Sequence, residues 1–407
     1  MLRCLSTQFI ACIIISACTG EGPATDAVVR DSAGITIVEN TTPAWGEGGE
    51  WRLGEVPDVT IGDPEGAVGE QLFRVSSVVA IRDGRIAVAN GGTREIRFFD
   101  SQGRFLAASG RDGDGPGEYR VLSSLFRYGA DSLLVYDSRA RRASVLTAAG
   151  DYARSFTLLP IDGHLVPRPG GVFGDRTLFV LTDGLSTPDG ELKSGPLRQP
   201  MQLFRTGAEG ALLDSLGFVL GSDMWVRVEG SGDARLVTFV GVPFGRFPAT
   251  TVAADRFFSG DGERYHIAVR TVEGKLERLI RWDRPNRPVM SEDVENMKRS
   301  WLANARDDNM RRRISMDLAE LPIPPTMPAH GDLHADAEGN LWVQVYRARG
   351  EDHTRWIVFD RQGRLLGPVR GPARFTTHEI GADFVIGVRT DELDVERVER
   401  YHLMKSR

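Results

Sequence analysis

The chain has 407 residues, 41% of them hydrophobic, and a formal net charge of −6. That supplies ample apolar material for a core, while the acidic balance argues against a nucleic-acid partner, which calls for a basic face. All three cysteines (Cys4, Cys12 and Cys18) fall in the first 18 residues, which excludes a disulfide framework, a thiol nucleophile or a Cys-ligated zinc in the body of the chain.

The amino terminus reads as an export signal. Arg3 precedes an apolar stretch from Phe9 to Ile15, too short to span a bilayer, and Ile15-Ser16-Ala17-Cys18 follows. Those four residues resemble the bacterial lipobox, which implies a signal peptide over residues 1–17 and a lipid-modified Cys18 as the mature N-terminus. A plain signal peptide cut nearby is the alternative. Two or more acyl chains anchor a protein stably. The expectation is therefore an extracytoplasmic protein held on a bacterial membrane, the outer one if Thr19 after the cysteine acts as a sorting residue. Residues 18–33 are small, polar and punctuated by Gly and Pro, as in a flexible tether. Order is expected from Gly34, with ITIVE as the first strand.

The body of the chain, residues 34–407, repeats itself. Residues 99–106 read FDSQGRFL and residues 359–366 read FDRQGRLL, each after an apolar run of β character. A short strand, an Asp/Gly turn and another short strand, recurring, mark a repeat architecture. The turn glycine recurs at Gly103, Gly150, Gly210, Gly274 and Gly363. Before these turns stand RIAVAN (85–90), SLLVYD (132–137), TLFVLTD (177–183), RFFSGD (256–261) and NLWVQVY (340–346). Several are apolar at consecutive positions, as strands covered on both faces are. A sixth unit, from Phe375 to the C-terminus, offers only three strands. Residues 59–78 echo residues 106–125, so 58–61 are expected to supply the missing outer strand and close the ring, removing its free edges. The sequence thus predicts an all-β, six-bladed β-propeller closed by an N-terminal strand in the last blade.

Two stretches exceed the repeat. Residues 218–248 read as a long Gly-rich crossing or as a seventh blade. Residues 291–318 read as a helical insertion with Ser291 as N-cap, an acidic first turn and Val294, Met297, Trp301, Met310 and Ile314 on one face. It would form a packed cover over one end of the ring, or a lid. Arg311, Arg312 and Arg313 would be its solvated face.

Candidate chemistry is sparse. Alternation places His330, Asp332, His334 and Asp336 on one face of an extended strand, and His/carboxylate sets bind divalent metals. Same-side neighbours there are roughly 6.6 Å apart, awkward for one ion without help from another blade; Asp336 also suits the turn that opens GNLWV. The Gly-rich loop 111–119 lacks the GK[ST] ending of a phosphate loop and the acidic spacing of a calcium loop, so it reads as a blade connection. Glu70 and Glu118 recur there and would accept backbone amides. Arg74 and Arg120 recur where inner strands begin, suited either to an anionic ligand in the channel or to packing salt bridges. No Gly-x-Ser-x-Gly elbow is present, and the seven histidines form no triad pattern.

The phrases DGRIAVAN, IRFFDSQGRFL, GRDGDGPGEY and GNLWV resemble the six-bladed β-propeller lipoproteins of bacteria, distant relatives of NHL-repeat proteins. The resemblance covers residues 34–403 and is strongest over 59–125. It implies fold and location more than activity. The expected function is a membrane-anchored binding or scaffold module for a protein, peptide or glycan, without catalysis or cofactor. The candidate ligand-binding residues are Arg74, Arg120, His330, Asp332 and His334. The alternative is a periplasmic hydrolase or lactonase with a divalent metal in the channel; an envelope sensor or assembly factor is a third reading.

Overall fold

The computed structural model describes residues 27–46, 49–161, 166–182, 192–230, 235–348 and 351–405. The expected signal peptide and Cys18 lie outside them. The fold is mostly β and propeller-like, an assembly of small antiparallel sheets. Four short strands come first: β1 Val28–Ser32, β2 Ile35–Asn40, β3 Arg52–Leu53 and β4 Val59–Ile61. Sheet 1 follows, with β5 Val75–Ala80, β6 Ile86–Asn90, β7 Glu95–Phe99 and β8 Phe105–Ser109 in sequence order. A two-stranded ladder, β9 Arg111–Asp112 with β10 Glu118–Tyr119, leads to sheet 2: β11 Leu122–Arg127, β12 Ser132–Asp137, β13 Arg142–Thr147 and β14 Tyr152–Thr157. Sheet 3 holds β15 Pro167–Val172, β16 Leu178–Thr182, β18 Pro200–Thr206 and β19 Leu212–Leu220, interrupted by β17 Gly195–Leu197. β17 belongs instead to a separate three-stranded sheet with β20 Met224–Glu229 and β21 Leu236–Gly241.

Sheet 4 contains β22 Ala249–Val252, β23 Arg256–Gly260, β24 His266–Thr271 and β25 Leu276–Trp282. Helices α1 Ser291–Ala303 and α2 Asp308–Glu320 intervene before sheet 5: β26 Leu333–Ala335, β27 Leu341–Gln344, β28 His353–Phe359 and β29 Leu365–Ala373. Sheet 6 has β30 Phe375–Ile380, β31 Phe384–Thr390 and β32 Glu396–Met404. β4 pairs antiparallel with β32, Val59 opposite Arg400 and Ile61 opposite Val398. The five apolar runs read from sequence are the second strands of sheets 1 to 5. β6 and β16 are buried at every position, as strands packed from both sides must be.

The first strands of the six sheets touch in succession, and β30 of the sixth touches β5 of the first. Buried apolar clusters follow the same order. Phe98, Val79 and Ala87 of sheet 1 pack with Leu125, Leu133 and Leu146 of sheet 2. Val59, Ile61, Ile386 and Val398 pack with Val78, Ile86 and Phe99, joining the sixth sheet to the first.

The repeated FD-x-QGR phrase has a physical cause. At Asp100 and Asp360 one carboxylate oxygen accepts the amides of Gln102 and Arg104, or of Gln362 and Arg364, at 2.8–2.9 Å. Gly103 and Gly363 close the turn with φ of 84° and 83°, left-handed values that side chains resist. Each glycine also lies against a neighbouring strand: a Cβ would come within 3.0 Å of Thr60 O at Gly103 and 2.7 Å of Ile280 at Gly363.

The structure corrects or decides the expected readings at three places. First, residues 28–32 are not part of a tether, because Val28–Ser32 forms β1 and pairs with β2 through Ala33 and Gly34, both at positive φ (55° and 78°), the twist a two-residue hairpin needs. β2 then runs parallel to β25, the outer strand of sheet 4. From there the chain crosses sheets 5 and 6, with Ala44 and Trp45 bonded to Leu365 and Leu366, and β3 paired to β32. Second, of the two readings of residues 218–248 the described residues fit the partly β-like crossing: they finish β19 and supply β20 and β21, which join β17 in a three-stranded sheet rather than a further four-stranded one. Third, the helix of 291–318 is two helices. Met290, not Ser291, is the N-cap, its N–H donating to Asp293, and Asp307 starts α2 by accepting the Met310 amide. Met297 buries itself with Phe244, Met327 and Ala348, so α1 is packed against the three-stranded insert and the segments flanking sheet 5. α2 is held by Arg227 of β20, which pairs with Asp317 (2.9 Å) and Glu320. Arg311, Arg312 and Arg313 are exposed, as expected.

Candidate functional site

The first strands, which touch in succession, form one candidate site. Four of these strands carry a one-residue bulge, at Ser76, Ser123, Gly170 and His378. A bulge re-aims side chains and breaks strict alternation. In β30 it brings His378 and Glu379 into play together. Glu379 Oε2 accepts the Ala80 amide at 2.9 Å, and its other oxygen lies 3.0 Å from Arg127. Sheets 6, 1 and 2 are thereby tied together. Burial pushes the Glu379 carboxyl above its usual range, against the pull of Arg127. His334 in β26 is half-buried, and its pKa is pushed down to about 4 by desolvation. His378 is likewise half-buried and pushed to about 4, by desolvation first and His334 second. The two imidazoles stand on touching strands.

The predicted residues separate. His330 and His334 do not share a strand face, because β26 begins only at Leu333. His330 is fully buried, its Nδ1 2.9 Å from Gly331 O and its ring edge-on to Tyr265. Asp332 is exposed, yet surrounding protein raises its carboxyl pKa by desolvation. Asp336 is buried and structural, accepting the amides of Glu338 and Asn340, the Asn340 side chain and Trp342 Nε1. Arg74 is exposed with φ 54°, its guanidinium 5.1 Å from the Phe73 ring centroid. Arg120 is committed to salt bridges with Asp112 (3.3 Å) and Asp114. Glu70 and Glu118 accept the amides of Ala67 and Gly115. The Gly-rich loops are gripped from the third strands, by Arg97 on Gly69 O and Gln71 O and by Arg142 on Asp114 O and Glu118 O. Among the described residues, no three His, Cys, Asp or Glu side chains gather closely enough to hold a metal ion.

Sequence reasoning passed over His378, Glu379 and Arg127. The signal for the first two was the run Thr376-Thr377-His378-Glu379 inside a strand bounded by Phe375 and Ile380, too polar for a strand buried on both faces.

A second site lies outside the repeats. The three-stranded insert, the turn between β23 and β24, and the proline segment after α2 enclose a cleft of about 600 Å³. Leu197, Met224, Phe244, Ile323 and the prolines 196, 322, 324 and 325 line it. At its polar side Arg246 pairs bidentately with Asp223 (2.8 and 3.1 Å), and Arg198 and Arg246 both reach Glu263 at 3.2 Å. Hydrogen bonds from Arg246 counter desolvation and hold the Asp223 carboxyl below its usual range.

No protein-family model matches the chain, and no curated protein matches it. Among solved structures, a member of the DUF4221 family from Bacteroides vulgatus matches with a TM-score of 0.54 at 10% identity, over 88% of this chain and 98% of that one. That likeness is one of fold. Virginiamycin B lyase from Staphylococcus aureus matches with a TM-score of 0.41 at 12% identity, covering 87% of this chain and 100% of its own. Regucalcin, a calcium-binding protein from Agrobacterium tumefaciens, matches at 0.40 and 12%, covering 86% and 92%. Among the described residues no helix is long and apolar enough to cross a membrane.

Proposed function

We propose that the chain is a six-bladed, closed β-propeller acting outside the cytoplasm as a binding module, and that the cleft between its two insertions takes an extended peptide segment of a protein partner. The cyclic contacts of the six inner strands, and the cluster joining sheet 6 to sheet 1 through β4, support the closed ring. The cleft is the observation that carries the binding role. Its four prolines have no N–H to offer, so those walls present apolar ring faces and carbonyl acceptors. A ligand must bring its own donors, as an extended backbone does, and the Arg198–Asp223–Arg246–Glu263 network meets polar side chains on either side. Half-apolar clefts with a few fixed polar groups are ordinary binding sites.

The test is selection of a displayed random-peptide library on the purified protein, followed by Leu197→Asp and Ile323→Asp variants. Enriched peptides are expected to lose at least about tenfold in affinity to either variant, roughly 1.4 kcal/mol. Failure to enrich any peptide, or affinity indifferent to both changes, would overturn the assignment; selective binding on a glycan array would replace peptide by sugar.

Anchoring through Cys18 is part of the same reading, supported by the lipobox-like Ile15-Ser16-Ala17-Cys18. In cells fed a clickable fatty acid, the wild-type chain should be labelled and sediment with membranes. Cys18→Ser should lose both properties. Unlabelled wild-type protein would reduce the N-terminus to a plain signal peptide.

A further inference from the structure

We propose that His334 and His378 together bind one divalent transition-metal cation of the zinc, nickel or copper type at the axis of the ring. This site is independent of the cleft. The two histidines come from inner strands of successive sheets, β26 and β30, which touch. The bulge between Thr377 and Glu379 sets His378 outside the regular ladder alternation. Both rings are half-buried, and neither makes a hydrogen bond among the described residues, so each retains an uncommitted nitrogen lone pair. Two neutral imidazoles held by rigid strands are ligands for borderline cations, whereas calcium and magnesium require oxygen shells.

The surroundings limit the ligand set. His330 cannot join, since it is fully buried against Tyr265 with Nδ1 at the Gly331 carbonyl. Glu379 is committed to Ala80 N and Arg127 and stays outside the ligand set. With two protein ligands, water completes the coordination sphere and leaves exchangeable positions facing the axis.

The experiment is calorimetric titration of chelator-stripped, untagged full-length protein with Zn²⁺, Ni²⁺ and Ca²⁺. One equivalent of zinc or nickel should bind and calcium should not. Either His334→Ala or His378→Ala should weaken zinc binding at least about tenfold, while His402→Ala, an exposed histidine, should bind as wild type. A readout free of variants is zinc protection of wild-type histidines from diethyl pyrocarbonate, mapped by mass spectrometry; His334 and His378 should be shielded and His402 should not. Absence of zinc binding, binding that survives the double replacement, or protection elsewhere would overturn the proposal.

Discussion

Replacing Asn40 by leucine is expected to cost about 3 kcal/mol of folding stability, far more than its position in an N-terminal strand suggests. Asn40 is 2% exposed and sits where the N-terminal segment passes from sheet 4 to sheet 5. Its Nδ2 donates to Arg281 O and Gly363 O at 3.0 Å, and its Oδ1 accepts the Leu365 amide at 2.8 Å. Leucine fills the volume but leaves the buried Leu365 N–H without that acceptor, the expensive side of losing a hydrogen bond. Glu39→Gln on the same strand is the comparison. Its ion pairs with Arg30 and Arg281 are partly solvated, so it should cost less than about 1 kcal/mol. Urea unfolding of both variants measures the difference. Equal losses would mean that the N-terminal crossing decorates the assembly without holding it.

The second large effect is acid destabilisation through the axial histidines. In the folded state both are pushed to about 4, whereas an unfolded histidine titrates near its ordinary value of 6.5. Between those values the unfolded chain binds protons that the folded chain refuses. Stability is therefore fully present above about pH 6.5 and falls as pH drops toward 4, by at most about 3 kcal/mol per ring. With EDTA present, wild type should lose stability across this window, and His334→Gln/His378→Gln should lose markedly less. Parallel pH profiles for the two proteins would show that the rings are already open to solvent protons. Carboxylates held low by hydrogen bonds, such as Asp100 by the Arg104 amide, release their stability at lower pH in both proteins alike.

The divergent fates of the predicted site residues have one physical origin. Reading His330 to Asp336 as an alternating strand assumes extended backbone from the start, but the chain is still completing the turn from the helices until Leu333. His330 therefore enters the core. Arg120 was legible as a repeated cation; the acids that neutralise it, Asp112 and Asp114, stand in the same loop and were legible too. His334 was found, but its neighbour His378 comes from another sheet, 44 residues away in sequence.

Local chemistry determined what sequence alone could determine. The Asp-x-x-Gly turns, the doubly apolar second strands and the echo of residues 59–78 in 106–125 follow from short-range hydrogen bonding and steric rules. They specify a chain of small sheets and the pairing of Val59–Ile61 with the C-terminal strand. Which side chains meet across sheets was decided only by tertiary structure. The contacts of residues 35–45 and 52–53 with sheets 4 to 6, the His334–His378 pair, the Arg127–Glu379 tie and the cleft between two insertions all join residues far apart in sequence. Each depends on how neighbouring sheets stack and where a single bulge shifts the register, and those are outcomes of packing that no local pattern encodes.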